Sequence, residues 1–290
     1  MIFVKLLHSL PPFNFCGLEG VTFEKAKVVV LPVPYDSTAS YRGGCRDGPH
    51  ALIQASRNME TYDYEFRCEP ASVGIFTLDE LEPARGSVEE TLGRVEGAVA
   101  EILSHGKFPL MIGGEHSITL GAIRAFANSR DKEFSVLHLD AHADMRDEYE
   151  GSRFSHACVM SRVRELCDVV SVGVRSMSGE EAAYIKKEKI KLHGADFDAR
   201  GIVEELKDDV YITFDLDVFD PSEMAAVGTP EPGGIRWKEA TGLLRAVAGK
   251  KNVIGADVVE LCPIPGNIAA DFMVAKLAYK MIGYKFFCKK

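Results

Sequence analysis

Side chains able to hold a metal gather at the ends of three apolar runs in this 290-residue chain. Phe134–Leu139 leads into Asp140-Ala-His142-Ala-Asp144, and Val210–Phe214 leads into Asp215-Leu-Asp217. Phe108–Ile112 leads into Gly113-Gly114-Glu115-His116, where the glycines allow a tight turn. Side chains two apart on an extended chain face the same way. The spacing therefore groups two carboxylates with an imidazole in the first segment and two carboxylates in the second. A helix cap or a satisfied hydrogen bond would explain any one of these residues, but not the set. Four carboxylates gathered without cations repel, and taking each out of water costs several kcal/mol. Divalent metal relieves both penalties. Two imidazoles and four carboxylates with no thiolate suit Mn²⁺ better than a structural zinc site, with Fe, Co or Ni also compatible. Two metals sharing bridging aspartates would use all six ligands, activate water and stabilise charge in a displacement.

The elements that must position these residues follow a simple rhythm. Short runs rich in β-branched residues occur at Lys27–Val33, Ser72–Leu78, Phe108–Ile112, Phe134–Leu139, Val169–Val174, Val210–Phe214 and Val253–Val259. Longer periodic segments such as Ser87–Ser104, Trp237–Ala248 and Ile268–Ile282 lie among them. Near-continuous apolar strands separated by helices predict a parallel sheet covered on both faces. Asp47-Gly48-Pro49 predicts a helix start with a capping aspartate. With no linker or repeat in view, residues 1–290 read as one α/β domain. Ligands in such sheets sit at the carboxyl ends of the strands, where the polar segments fall.

Composition narrows the partners. Lys and Arg number 34 against 43 Asp and Glu, a formal charge of −9. Nucleic-acid binders need a basic patch, so that class is excluded. The seven cysteines form no CxxC pair and read as reduced intracellular thiols. No apolar run reaches the ~18 residues of a membrane span. The apolar opening Met1–Leu10 lacks a cleavage site for export. The expectation is a cytoplasmic protein.

The motifs GGEHS (Gly113–Ser117), DAHAD (Asp140–Asp144), Ser155-His156, FDLDVFDP (Phe214–Pro221), GTPEPGG (Gly228–Gly234) and VVELCP (Val258–Pro263) together resemble the ureohydrolase family of arginases and agmatinases. The early SYRGG…GP segment, Ser40–Pro49, continues the match. The resemblance implies a three-layer α/β/α fold with a mostly parallel sheet of about eight strands, and two Mn²⁺ ions. It assigns His116, Asp140, Asp144 and Asp215 to one metal and Asp140, His142, Asp215 and Asp217 to the other. It implies that Glu260 pairs with the substrate guanidinium, that Thr229 lies nearby, and that His156 shuttles protons while Asp144 relays one. It also implies a homo-oligomer, trimeric or hexameric.

Within that family the tail-recognition segments point away from arginine. Met145-Arg146-Asp147-Glu148-Tyr149-Glu150 follows DAHAD where arginases carry Ile-Asn-Thr, and Ser176-Met177-Ser178 follows Arg175 where they carry Asp-Val-Asp. The DAHADMRDEYEGSRFSHA stretch resembles agmatinases, which make putrescine and urea from agmatine. Glu148 and Glu150 could attract a distal ammonium or simply be solvated. Three loops depart from the agmatinase pattern: Ser40–Gly44, Ala225–Pro230 and Ile264–Asn267. The expected substrate is agmatine. The alternatives are aminopropylagmatine, guanidinobutyrate or arginine, or a non-catalytic metal-binding member of the fold.

Overall fold

In the computed structural model, which describes residues 10–288, eight strands form one sheet. They are β1 (Val28–Val33), β2 (Ile75–Thr77), β3 (Phe108–Gly113), β4 (Ser135–Leu139), β5 (Asp168–Val172), β6 (Leu192–His193), β7 (Asp209–Asp215) and β8 (Asn252–Val259). Their order is β2-β1-β3-β8-β7-β4-β5-β6, and every pairing of these strands is parallel. β1, β3, β4 and β7 are buried at every position. A strand covered on both faces has no solvent side to make polar, hence the unbroken apolar runs.

The helices are α1 (Gly48–Ser56), α2 (Val88–Ser104), α3 (Thr119–Ser129), α4 (Val159–Val163), α5 (Gly179–Glu188), α6 (Ala199–Glu205), α7 (Trp237–Ala248) and α8 (Ile268–Phe287). Alternation along β1 sends Val28 and Val30 to one face and Val29 and Leu31 to the other. The first face packs with Leu52 of α1, Leu243 of α7 and Leu277 of α8. The second packs with Leu92 and Val95 of α2, Phe126 of α3 and Val163 of α4. This is the expected three-layer α/β/α arrangement, with a sheet that is wholly rather than mostly parallel.

The local departures have local causes. Ser72 and Val73 belong to a 3-10 turn, Pro70–Val73, and Gly74 (φ 78°) must pass before β2 begins. β5 stops at Val172 because Gly173 takes φ 97°. β6 is only two residues long, so it offers no run to read. α8 continues past Ile282 to Phe287, burying Gly283 and Tyr284 on the way. Asp47 makes no side-chain cap to α1; Pro49 in the first turn marks the start instead. All seven cysteines are free thiols, and no described helix is long and apolar enough to cross a membrane. Of the opening Met1–Leu10, only Leu10 lies within the described residues. At the sheet centre β3, β8, β7 and β4 lie side by side, and their carboxyl ends form one crevice.

Candidate metal centre

The turn after β3 has no room for a side chain. A Cβ on Gly114 would fall 1.8 Å from the Tyr35 carbonyl oxygen. That close approach lets Gly114 N–H donate to Val33 O (2.9 Å) and Glu115 N–H to Tyr35 O (2.7 Å). Gly114 O in turn accepts from Glu260 N–H (2.8 Å). The turn is thus stitched between β1 and β8, and it delivers His116 into the crevice.

Spacing by twos predicts extended chain through Asp144 and Asp217, and the backbone does otherwise. Asp144 occupies the left-handed region (φ 53°), and Asp217 lies in a 3-10 turn, Leu216–Val218. The carboxylates converge because each segment folds back on its own first aspartate. Asp140 Oδ1 accepts from His142 N–H (2.5 Å), and Asp215 Oδ1 accepts from Asp217 N–H (2.9 Å). Asp217 Oδ1 also accepts from Ala141 N–H (3.0 Å), joining the two segments.

His116 Nδ1 is the focus of this geometry. Asp140 Oδ2, Asp215 Oδ2 and Asp144 Oδ2 lie 3.0, 3.1 and 3.4 Å from it. None is aligned as a hydrogen-bond acceptor, and the buried nitrogen has no partner. A lone pair aimed at a point among three carboxylate oxygens fits a cation. Beside it, His142 Nδ1 lies 2.8 Å from Asp217 Oδ2 and 3.5 Å from Asp140 Oδ1. Two groups with ligand atoms inside 4.8 Å emerge: His116, His138, Asp140 and Asp144, then Asp140, His142 and Asp217. They share Asp140. Asp215 stands in neither at that spacing, although its Oδ2 faces His116.

The electrostatics show an unbalanced charge. Burial pushes Asp215 well above the usual carboxylate range, with the Asp217 and Asp140 charges adding to it. Burial and the Asp140 charge raise Asp217 as well. Burial opposes ionisation of Asp140 too, yet the His116 and His138 imidazoles beside its carboxylate hold it well below its ordinary value. Burial works against imidazolium at His116 and His142, but the surrounding carboxylates carry both well above the ordinary histidine value. The cluster draws protons where it could draw metal.

Polar groups behind the ligands orient them, as ring and carboxylate partners do around metal sites generally. His138 is buried on β4, with Nε2 2.9 Å from Asp140 Oδ2 and Nδ1 3.0 Å from Ser171 Oγ. His116 Nε2 lies 2.9 Å from Thr213 Oγ1, which donates to Asp257 Oδ1 (2.7 Å). Tyr211 and Thr119 also donate to Asp257. On the outer side, Glu231 Oε1 is 3.9 Å from His142 Nε2 and accepts from Ser176 Oγ (2.9 Å). Sequence reading assigned none of these to the metal centre; Ser176 entered it only as part of the segment after Arg175. Yet His138 and Thr213 stand two residues before Asp140 and Asp215, the same spacing by twos that picked out the ligands.

Glu260, His156 and Thr229 face the same cleft as His116, His142, Asp144, Asp215 and Asp217. Glu260 takes φ 69°, a left-handed conformation costly outside glycine and frequent at functional sites. Its Oε1 accepts from His116 N–H (2.6 Å) and its Oε2 from the Cys45 thiol (3.1 Å). Burial pushes the Glu260 carboxyl up to about 7. His156 sits in a 3-10 turn just before α4, its ring edge-on to Tyr149 at 6.2 Å. Past Thr229 the cleft continues into a cavity of about 230 Å³ reaching Tyr149, Ser176, Met177 and Ser178. Ser40 and Thr229 of the variant loops line it. Ile264–Asn267 lines neither space, nor do Glu148 and Glu150, which are exposed.

The Arginase family model matches residues 26–283. The N(1)-aminopropylagmatine ureohydrolase of a Synechocystis species is 40% identical over 288 residues, covering 94% of each chain. An agmatinase of Bacillus anthracis is 34% identical, covering 84% of this chain and 86% of its own. The agmatine ureohydrolase of Thermoplasma volcanium superposes with a TM-score of 0.86 at 33% identity, covering 96% of this chain and 95% of that one. Fold, buried cluster and relatives agree: the chain belongs to the arginase family, the ureohydrolases.

Proposed function

We propose that this chain is a dinuclear-metal hydrolase that releases urea from a linear guanidine with a cationic tail. The observation that carries the reading is His116 Nδ1, buried, unpartnered and aimed among three carboxylate oxygens. His116, Asp140, Asp144 and Asp215 would hold one ion, and Asp140, His142, Asp215 and Asp217 the second. Mn²⁺ suits this mix of hard oxygen and imidazole donors. When bound, such ions lower the pKa of water and stabilise developing charge as Lewis acids.

The chain's own residues supply the rest. Glu260 offers the remaining lone pairs of its two oxygens to the guanidinium fork, a charge-assisted pairing. A cation there would reverse the upward push that burial exerts on its carboxyl. Thr229 lines the same cleft and would complete the grip. Asp144 takes the proton of the attacking water and passes it to the leaving nitrogen, and His156 carries further protons between the site and solvent, such as the one the departing amine takes up. We read residues 1–290 as one such domain, cytoplasmic and homo-oligomeric, acting on a small guanidino compound rather than on nucleic acid or membrane.

For the tail we favour N1-aminopropylagmatine. Support comes from the 40% identity to a relative of that name, against 34% to an agmatinase, and from the cavity that prolongs the cleft. Agmatine, the first expectation from sequence, is the second reading, favoured by the close superposition on an agmatine ureohydrolase. Urea release from N1-aminopropylagmatine, agmatine, guanidinobutyrate and arginine after Mn²⁺ loading tests both. The expected order of kcat/KM is N1-aminopropylagmatine, then agmatine, then the rest. An arginine preference of about tenfold, roughly 1.4 kcal/mol, would overturn the tail reading. No urea from any guanidine by Mn²⁺-loaded protein would overturn the hydrolase itself.

A further inference from the structure

Between a buried carboxylate and the candidate proton carrier stands a single hydroxyl. Glu115 is fully buried beside His116. Its Oε2 accepts from Thr38 N–H (2.6 Å), and its Oε1 accepts from Thr38 Oγ1 (2.6 Å) and Ser117 Oγ (2.5 Å). Thr38 Oγ1 also lies 3.0 Å from His156 N and 3.3 Å from His156 Nδ1. We propose that Glu115 and Thr38 position His156 as its Nδ1–H tautomer, leaving Nε2 as the nitrogen that carries protons in the cleft. The part played by His156 rests on the ureohydrolase reading; the tautomer rests on geometry alone.

Hydrogen counting makes the case. A hydroxyl has one hydrogen to donate and two lone pairs to accept with. The Thr38 hydrogen goes to the carboxylate, its shortest contact and its only charge-assisted one. Its lone pairs are therefore what the His156 backbone N–H and ring nitrogen meet. The backbone N–H is an obligate donor and takes one. An acceptor opposite Nδ1 stabilises a proton on Nδ1, and in a neutral imidazole that leaves Nε2 bare. Ser155 Oγ, 3.3 Å from the same Nδ1, has lone pairs to accept with too. The Tyr149 ring stands edge-on to the imidazole, at 90° with 6.2 Å between ring centroids.

The arrangement couples two parts of the site. The turn that delivers His116 also carries Glu115, so one backbone segment sets a candidate metal ligand and, through Thr38, the ring that moves protons. Thr38 and Glu115 are positioning residues in this proposal, since neither needs to touch substrate.

The test uses full-length protein labelled with ¹⁵N-histidine and loaded with diamagnetic Zn²⁺, with His156→Asn identifying the His156 signals. At a pH where the ring is neutral, wild type should show protonated Nδ1 and bare Nε2, and Thr38→Val should show both tautomers. In Mn²⁺-loaded enzyme, Thr38→Val should lower kcat by about tenfold or more, part of the ~10²–10⁴ a positioned acid–base contributes. Its KM and metal content should stay at wild-type values, and Thr38→Ser should recover most of the rate. In the His156→Asn background Thr38→Val should add nothing, because its effect runs through that ring. A wild-type ring protonated on Nε2, or additive losses in the double variant, would overturn the proposal. A wild type inactive on every guanidine sinks the ureohydrolase reading instead, and the tautomer measurement still decides the positioning.

Discussion

Glu260 serves two neighbours at once, which decides how it should be tested. Its Oε1 accepts the His116 backbone N–H, so truncation to alanine would strip a buried donor and disturb a candidate metal ligand. Glu260→Gln keeps an amide oxygen for that N–H, removes the charge and replaces the second acceptor oxygen, which faces Cys45, with an NH2 donor. Metal content should hold at the wild-type value. A hydrogen bond to a charged group is worth about 1.5–3 kcal/mol, so kcat/KM should fall about 10–150-fold. Asp140→Ala should behave in the opposite way. It removes the carboxylate common to both clusters and leaves His138 Nε2 and His142 N–H facing a void. Metal and activity should vanish together. Elemental analysis beside kinetics separates the two outcomes. Full metal in Asp140→Ala would contradict its place at the centre of the site.

At the scale of elements, the glycine turn after β3 bears the tightest steric demand in the crevice. Gly114→Ala would drive a methyl into the Tyr35 backbone, where no flexible side chain can yield. The turn must open, parting its bonds to β1 and β8 and displacing His116. A loss of about 1–3 kcal/mol or more, as for overpacked cores, should accompany a drop in bound metal. Gly86→Ala, where an added Cβ meets nothing within 4 Å, is the matched control and should be near neutral. Calorimetry and metal analysis of the pair check this. Equal behaviour of the two variants would show that the turn adapts.

What was legible in the sequence follows the same physical lines. Strands buried on both faces announce themselves as apolar runs, so β1, β3, β4, β7 and β8 could be read directly, and β6 could not. Spacing by twos assembled the right carboxylates for a reason the backbone only partly honours, since Asp144 and Asp217 reach the cluster through a left-handed residue and a 3-10 turn. Applied backwards, the same spacing reaches His138 and Thr213. Thr38 carried no such signal. Its partners Glu115 and His156 lie far away in the chain, and only the fold brings them together.

For the molecule as a whole, the centre of the sheet is where net charge and stability meet. The chain carries a formal −9, and Asp140, Asp144, Asp215 and Asp217 are all buried at one spot. Without metal, such a cluster must either leave repelling charges out of water or take up protons, and burial pushes Asp215 and Asp217 toward the second course. Metal ions supply the missing positive charge only in the folded state, because the ligands come from three separate strand ends. Binding should therefore stabilise the fold by mass action, about 4 kcal/mol per site when free metal stands a thousandfold above Kd. Chelation should lower Tm by several degrees, and Mn²⁺ should restore it in proportion to the logarithm of its concentration. Asp140→Ala should show neither response, since it lacks the shared ligand. A wild-type Tm indifferent to chelator and to Mn²⁺ would mean that protons alone balance the four carboxylates, and the dinuclear reading would fall with it.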